Sequence, residues 1–178
     1  MRQPLAVERS LFLDASGRPL AMTRLCGRAL RGERVVETVP QHSGPTVTRI
    51  GALSLQGLDA VRTVEGAPEG DVFRAAVEQG LGPPLVAGEV VLRDHLSAHK
   101  VAGSREAMEA RGAPVLYVPP YSPALSPIAL CWSQGTTAVR QAKARTRAAL
   151  EQALAEVMST VTAVEAQHGF AHCGDTVQ

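Results

Sequence analysis

Two carboxylates in this chain stand where an alternating strand and helix protein places its chemistry. Asp14 closes the apolar run Ser-Leu-Phe-Leu-Asp at 10–14, and Asp94 follows the buried run Val-Val-Leu at 90–92. Open α/β sheets put their sites at the carboxyl ends of such strands, and a carboxylate is the hard oxygen donor that magnesium takes. Other reactive side chains make weaker cases. Ser97 and His99 lie near Asp94, but no nucleophile-elbow pattern surrounds them, which argues against a hydrolase triad. His168, His172 and Cys173 crowd together without a second cysteine or a convergent partner, and they read as structural. Cys26, Cys131 and Cys173 are odd in number and contain no CxxC pair. That pattern argues against a disulfide framework or a zinc site and fits a reducing cytoplasm.

The elements that must carry the two aspartates alternate between strand-like and helix-like periodicity, with no internal repeat or long linker. One α/β domain over 1–178, a central sheet flanked by helices, is the arrangement this predicts. Ser16-Gly17 predicts a turn directly after Asp14. Thr46 to Leu55 and Ala60 to Val64 are β-branched and separated by Gln56-Gly57, an antiparallel pair. Glu69 to Leu81 has helical spacing at Val72, Phe73, Ala76, Val77 and Leu81, and Gly82-Pro83-Pro84 ends it. Ala102 to Arg111 reads as a helix capped by Gly112, and Pro114 to Val118 as a further buried strand. Two helices follow. Ser126-Pro127 starts the first, with Ser able to cap free N–H groups and Pro favoured at the first helical position, so Ala129 is its third residue. The last, from about Thr146, turns Ala149, Leu150, Ala153, Leu154, Val157, Met158 and Val161 to one face.

Composition bounds the partners. The 178 residues are 45% hydrophobic with only six aromatics, enough for one compact core built mainly of Leu, Val, Ile and Ala. A formal charge of +1 gives no global field for a polyanion, so nucleic-acid contact must come from local clusters. Arg18, Arg24, Arg28, Arg31 and Arg34 form one, and Arg140, Lys143, Arg145 and Arg147 another. Each reads either as a solvated face or as phosphate contact. No apolar run reaches the roughly 18 residues of a membrane span, and Met1-Arg2-Gln3-Pro4 lacks the apolar segment of a signal peptide. A cytoplasmic protein with no membrane partner is expected.

One tract is more specific than any of these signals. Pro-Pro-Tyr-Ser-Pro-Ala-Leu-Ser-Pro-Ile-Ala-Leu-Cys-Trp at 119–132 follows Arg-Asp-His-Leu-Ser-Ala-His-Lys at 93–100. Together they resemble the signature of transposases with an Asp-Asp-Glu (DDE) triad, in the bacterial insertion-sequence branch of the mariner superfamily. Residues 95–128 leave 34 positions between Asp94 and Ala129, the spacing of that branch. The resemblance runs from about Leu11 to Gly174, including 27–34 and the closing Phe-Ala-His-Cys-Gly at 170–174.

The resemblance implies a ribonuclease-H-like fold with a mixed sheet, DNA as partner, and magnesium or manganese as cofactor. It makes Asp14 and Asp94 the first two catalytic, metal-binding acids and places the third on Ala129. His99 and Lys100, close to the second acid, are candidates to face a DNA phosphate, and Arg24, Arg28, Arg31 and Arg140 are the further candidates for contact with DNA. A homodimer or a complex with a full-length transposase is also implied. Departures gather at the chemistry. Where the family has Glu, Asn, Asp and Asn, this chain has Ala15, His95, Ala124 and Ser126, and where it has the metal-binding Glu there is Ala129. Two-metal phosphodiester cleavage needs convergent carboxylates, and nothing acidic lies between Glu109 and Glu151 to substitute. Gln134-Gly135-Thr136-Thr137 lowers helix propensity just downstream, since an interior Gly costs about 1 kcal/mol relative to Ala. The helix-turn-helix module that such transposases carry ahead of this domain is not expected here, as in a split reading frame or a decayed element. Three functions remain in view: an impaired DDE endonuclease domain of DNA transposition, a non-catalytic relative that binds DNA or a transposase, and a purely structural scaffold.

Overall fold

Alternation along the first strand sets the layers. In β1 (Ser10–Pro19), Leu11 and Leu13 face one side with Ile50, Ala52, Phe73, Val91 and Met108. Phe12 faces the other, with Leu53, Ile128, Trp132 and Phe170. A strand apolar on both faces must be central and covered twice. The computed structural model describes residues 7–66, 70–81, 85–94, 103–119 and 122–174. In it β2 (Thr46–Ser54), β3 (Gly57–Glu65), β4 (Val90–Arg93) and β5 (Val115–Tyr117) join β1 in a five-stranded sheet ordered β3-β2-β1-β4-β5. The β1–β2 and β2–β3 pairs are antiparallel, and β1–β4 and β4–β5 parallel. The expected mixed α/β sheet is therefore present.

Helices α1 (Gly70–Ala76) and α2 (Ser104–Glu109) belong to the side of Phe73 and Met108. The opposite face carries α3 (Pro127–Ala142), α4 (Arg147–Met158) and α5 (Ala163–His172). Phe12 and Phe170 meet edge to face, 5.3 Å between centroids, and burying each such ring is worth about 1.5–3 kcal/mol. Thr146 caps α4 by accepting the Ala149 N–H at 3.2 Å, as its place ahead of the helix predicts.

Several boundaries differ from the sequence reading, each for a tertiary reason. β1 does not turn at Ser16-Gly17 but continues to Pro19, because 14–19 pair with 46–51 of β2 after the parallel partner ends at Arg93. Gly17 meets a close neighbour instead: a Cβ there would lie 3.2 Å from Thr48 Oγ1. The 69–81 helix is α1 followed by one wider turn, Val77–Leu81. β5 is an edge strand, not a buried one, with Leu116 43% exposed. Ser126 holds the N-cap position of α3, yet its side chain makes no capping bond; its carbonyl accepts the Ala129 N–H at 3.0 Å. Ala149 is exposed in the first turn of α4, and Val161 is buried beyond that helix's end. The last helix is α5, which begins at Thr162-Ala-Val-Glu165, with Thr162 Oγ1 accepting the Glu165 N–H at 3.4 Å.

The connection from β1 to β2 is an exposed excursion without strand or helix over 23–45. Its base is tied down by Leu20 N–H to Pro45 O (2.8 Å) and Arg145 to Met22 O (3.0 Å). A Lys143–Glu37 ion pair joins its far part to the end of α3 and holds the Glu37 carboxyl below its usual range.

Candidate active-site cleft

The parallel ladder between β1 and β4 ends at Leu13 opposite Arg93, so Asp14 and Asp94 occupy the next step on neighbouring strands. Asp14 Oδ1 accepts the Ala15 N–H at 2.7 Å. Arg93, just ahead of Asp94, is 1% exposed, stacks over Phe73 at 5.1 Å and donates to Ser104 Oγ at 3.1 Å. That buried anchor fixes the end of β4 and with it the Asp94 backbone.

Across from the aspartates stands the first half of α3. Ile128 is fully buried and Trp132 4% exposed, so the helix is held to the sheet by the residues flanking Ala129. Trp132 lies on Gly51, where a Cβ would come within 2.7 Å of the indole. Gly51 opposes Asp14 in the ladder, so the glycine lets α3 approach the acid. Asp14, Asp94 and Ala129 then line one open cleft of about 400 Å³, with Ser16, Arg18, Trp132, Ser133, Thr136 and Arg140. Ala129 is the third residue of α3, as the Ser-Pro start predicts.

The donor set limits what the cleft can hold. Two adjacent carboxylates are suitable ligands for one hard divalent ion. The third wall presents a methyl group, and among the described residues no group of three or more His, Cys, Asp or Glu could hold a metal. The described residues offer ligands suited to a single ion and not to a pair.

Basic side chains continue from the cleft. Arg140 lines it and also lines a neighbouring concavity of about 440 Å³ with Arg24, Arg28, Thr137 and Gln141. Arg24 donates to Gln141 O at 3.4 Å. Arg31 is exposed on the same excursion and lines neither concavity. His99, Lys100 and Ser97 lie outside the described residues. His168 and His172 are exposed on α5 and Cys173 half-buried, without a metal cluster among the described residues. Burial pushes the Cys131 thiol up.

Sequence reading missed Arg18 as a cleft residue and Arg49 altogether. Arg49, in β2 opposite Ser16, is 2% exposed. Its Nη2 donates to Ser16 Oγ and Thr136 Oγ1, each at 3.4 Å, and its guanidinium lies 5.2 Å from the Trp132 ring centroid. Nη1 has no hydrogen-bond partner among the described residues. Burial, with the charge of Arg18, pulls its pKa down to about 10, which leaves it protonated at neutral pH. The only sequence signal was a lone charged residue inside the otherwise uncharged stretch 46–55. Gly135 makes the room: a Cβ there would lie 3.0 Å from Arg49 Nη1 and 2.9 Å from Met158. The weak-propensity tract 134–137 stays helical for that packing.

A mixed five-stranded sheet covered by helices on both faces, with one acid just after β4 and the other at the matching step of its parallel neighbour β1, defines a ribonuclease-H-like domain. The chain belongs to the DDE superfamily endonuclease family, whose model matches residues 9–151. Solved structures agree on the fold. The Mos1 transposase paired-end complex with left transposon end aligns at TM-score 0.73 and 14% identity, over 94% of this chain and 53% of that one. The Mos1 mariner paired end complex with Mn gives 0.70 and 16%, over 94% and 53%. The catalytic domain of Mos1 mariner transposase gives 0.63 and 12%, over 97% and 86%. The chain thus spans about half the length of the transposase in those complexes. No curated protein sequence matches it.

Proposed function

We propose that this chain is a transposase-type DDE endonuclease domain of the insertion-sequence branch whose strand-cleaving chemistry is impaired at Ala129. One observation carries the reading: Asp14, Asp94 and Ala129 line the same cleft, with a methyl at the position that the family resemblance gives to the third acid. The ancestral role is metal-dependent cleavage and transfer of DNA strands in transposition. Magnesium or manganese, held by Asp14 and Asp94, would supply Lewis acidity toward the scissile phosphate. Mos1 complexes solved with Mn and with Mg support this choice of ions.

What the protein's own residues still do is position. Ser16, Arg18, Thr136 and Arg140 flank the acids and can orient a phosphate backbone, and Arg24 and Arg28 extend the basic track. This favours a second reading, a non-catalytic relative that binds DNA or a full-length transposase, and for that reading the Mos1 paired-end complexes also speak. Incubating supercoiled plasmid with Mg²⁺ or Mn²⁺ separates the two states of the cleft. The unaltered chain is expected to leave the plasmid intact while binding it in a salt-dependent manner, and Ala129→Glu to gain nicking. Robust metal-dependent nicking by the unaltered chain would refute the impairment.

A further inference from the structure

We propose that the cleft contains a metal-independent phosphate-binding subsite, formed by the Ser16 and Thr136 hydroxyls with Arg18 and Arg140 and backed by the buried cation of Arg49. It rests on the DNA-binding reading above and specifies which part of the cleft takes the phosphate group. A guanidinium donates hydrogen bonds and accepts none. Where Arg49 donates to Ser16 Oγ and Thr136 Oγ1, each hydroxyl must therefore turn its own proton elsewhere. Neither proton has an acceptor among the described residues, although the neighbouring Thr137 hydroxyl does bond back to Ser133 O at 3.0 Å. Both hydroxyls line the cleft, so two polarised O–H donors face the same space as Arg18 and Arg140.

The charge count points to the same ligand. Arg18 and Arg140, with Arg49 behind them, stand against Asp14 and Asp94, and among the described residues no other charged side chain lines the cleft. Arg49 is 98% removed from solvent and has no carboxylate among its hydrogen-bond or ion-pair partners in the described residues. Burying a charge without a counter-ion is costly, and an anion bound at the two hydroxyls would offset that cost. Asp14 and Asp94 share one step of the sheet, while Ser16 and Arg18 lie further along β1 and Thr136 and Arg140 further along α3, which places the phosphate away from the start of α3 and beside the acids. There the protein cation stands in electrostatically for the ion that Ala129 cannot hold.

Two measurements in EDTA test this. Melting with sodium phosphate, against chloride at equal ionic strength, is expected to stabilise the unaltered protein by several degrees. Arg49→Met and the double variant Ser16→Ala/Thr136→Val should each lose most of that shift. Affinity for a duplex of about 20 base pairs, read by fluorescence anisotropy, should fall about tenfold in both, the size of one lost charge-assisted contact. If Arg49→Met does not fold, the hydroxyl double variant decides alone. Absence of the phosphate shift in the unaltered protein, or its persistence in both variants, overturns the subsite even where DNA still binds. DNA binding that requires Mg²⁺ overturns its metal independence. A phosphate shift lost in the variants, without DNA binding by the unaltered chain, upholds the subsite and removes the DNA reading instead.

Discussion

The two walls of the cleft are built with equal care and carry different chemistry. On the strand side, Asp14 and Asp94 keep their acids at matched steps of neighbouring strands. On the helix side, α3 packs as tightly, with Ile128 and Trp132 buried and Gly51 cleared beneath the indole, yet the residue between them that faces the cleft is Ala129. Packing positions and cleft-facing positions alternate along one turn of helix, so the residue that faces the cleft can differ without disturbing the packing. A well-formed cleft is therefore no measure of catalytic competence. Beside the acids, Arg49 of β2 with Ser16 of β1 and Thr136 of α3 forms a polar cluster that bridges the two walls and suits anions where the two acids suit cations.

Perturbations of either wall should be separable. The largest effect belongs to Trp132→Ala, which removes the helix wall's anchor and should cost about 3–5 kcal/mol in urea unfolding. A loss well under 1 kcal/mol would mean that α3 is held by something other than that contact. Next comes Gly51→Ala, whose methyl meets the indole at 2.7 Å and should destabilise by about 1–3 kcal/mol while leaving both acids in place. Asp94→Asn strikes the strand wall alone: Mn²⁺ affinity should drop at least about tenfold, since even partners of metal ligands contribute that much, with little change in melting temperature. Equal Mn²⁺ binding before and after would put the ion elsewhere. The smallest is Thr146→Ala, a cap remote from the cleft, expected to cost about 1 kcal/mol and to leave Mn²⁺ and DNA binding untouched.

What the sequence made legible was local. The Ser-Pro start put Ala129 in the first turn of α3 because a proline fixes its own dihedral and sacrifices only an N–H that the helix end leaves unpaired. The apolar runs before Asp14 and Asp94 marked two strands for a different reason, that a short continuous apolar run suits a strand covered on both faces. The far half of β1 was hidden because its partner lies some thirty residues on in β2, and Ser16-Gly17 carries a turn signal that the pairing overrides. Helix α5 was legible and missed: Thr162 with Glu165 three positions later is a capping signature. Arg49 was opaque for a deeper reason. Only the approach of α3, made possible by Gly135 and Gly51, turns a charged residue in a strand into a buried one.

Titration of Mn²⁺ into the protein, followed by electron paramagnetic resonance, counts the ions that the two walls can hold. With acids on the strand wall alone, the unaltered chain should bind one ion per molecule in the cleft, lost in Asp94→Asn, and Ala129→Glu should bind two. Two ions bound by the unaltered chain, both displaced by Asp94→Asn, would contradict the assignment of Ala129 as the missing ligand.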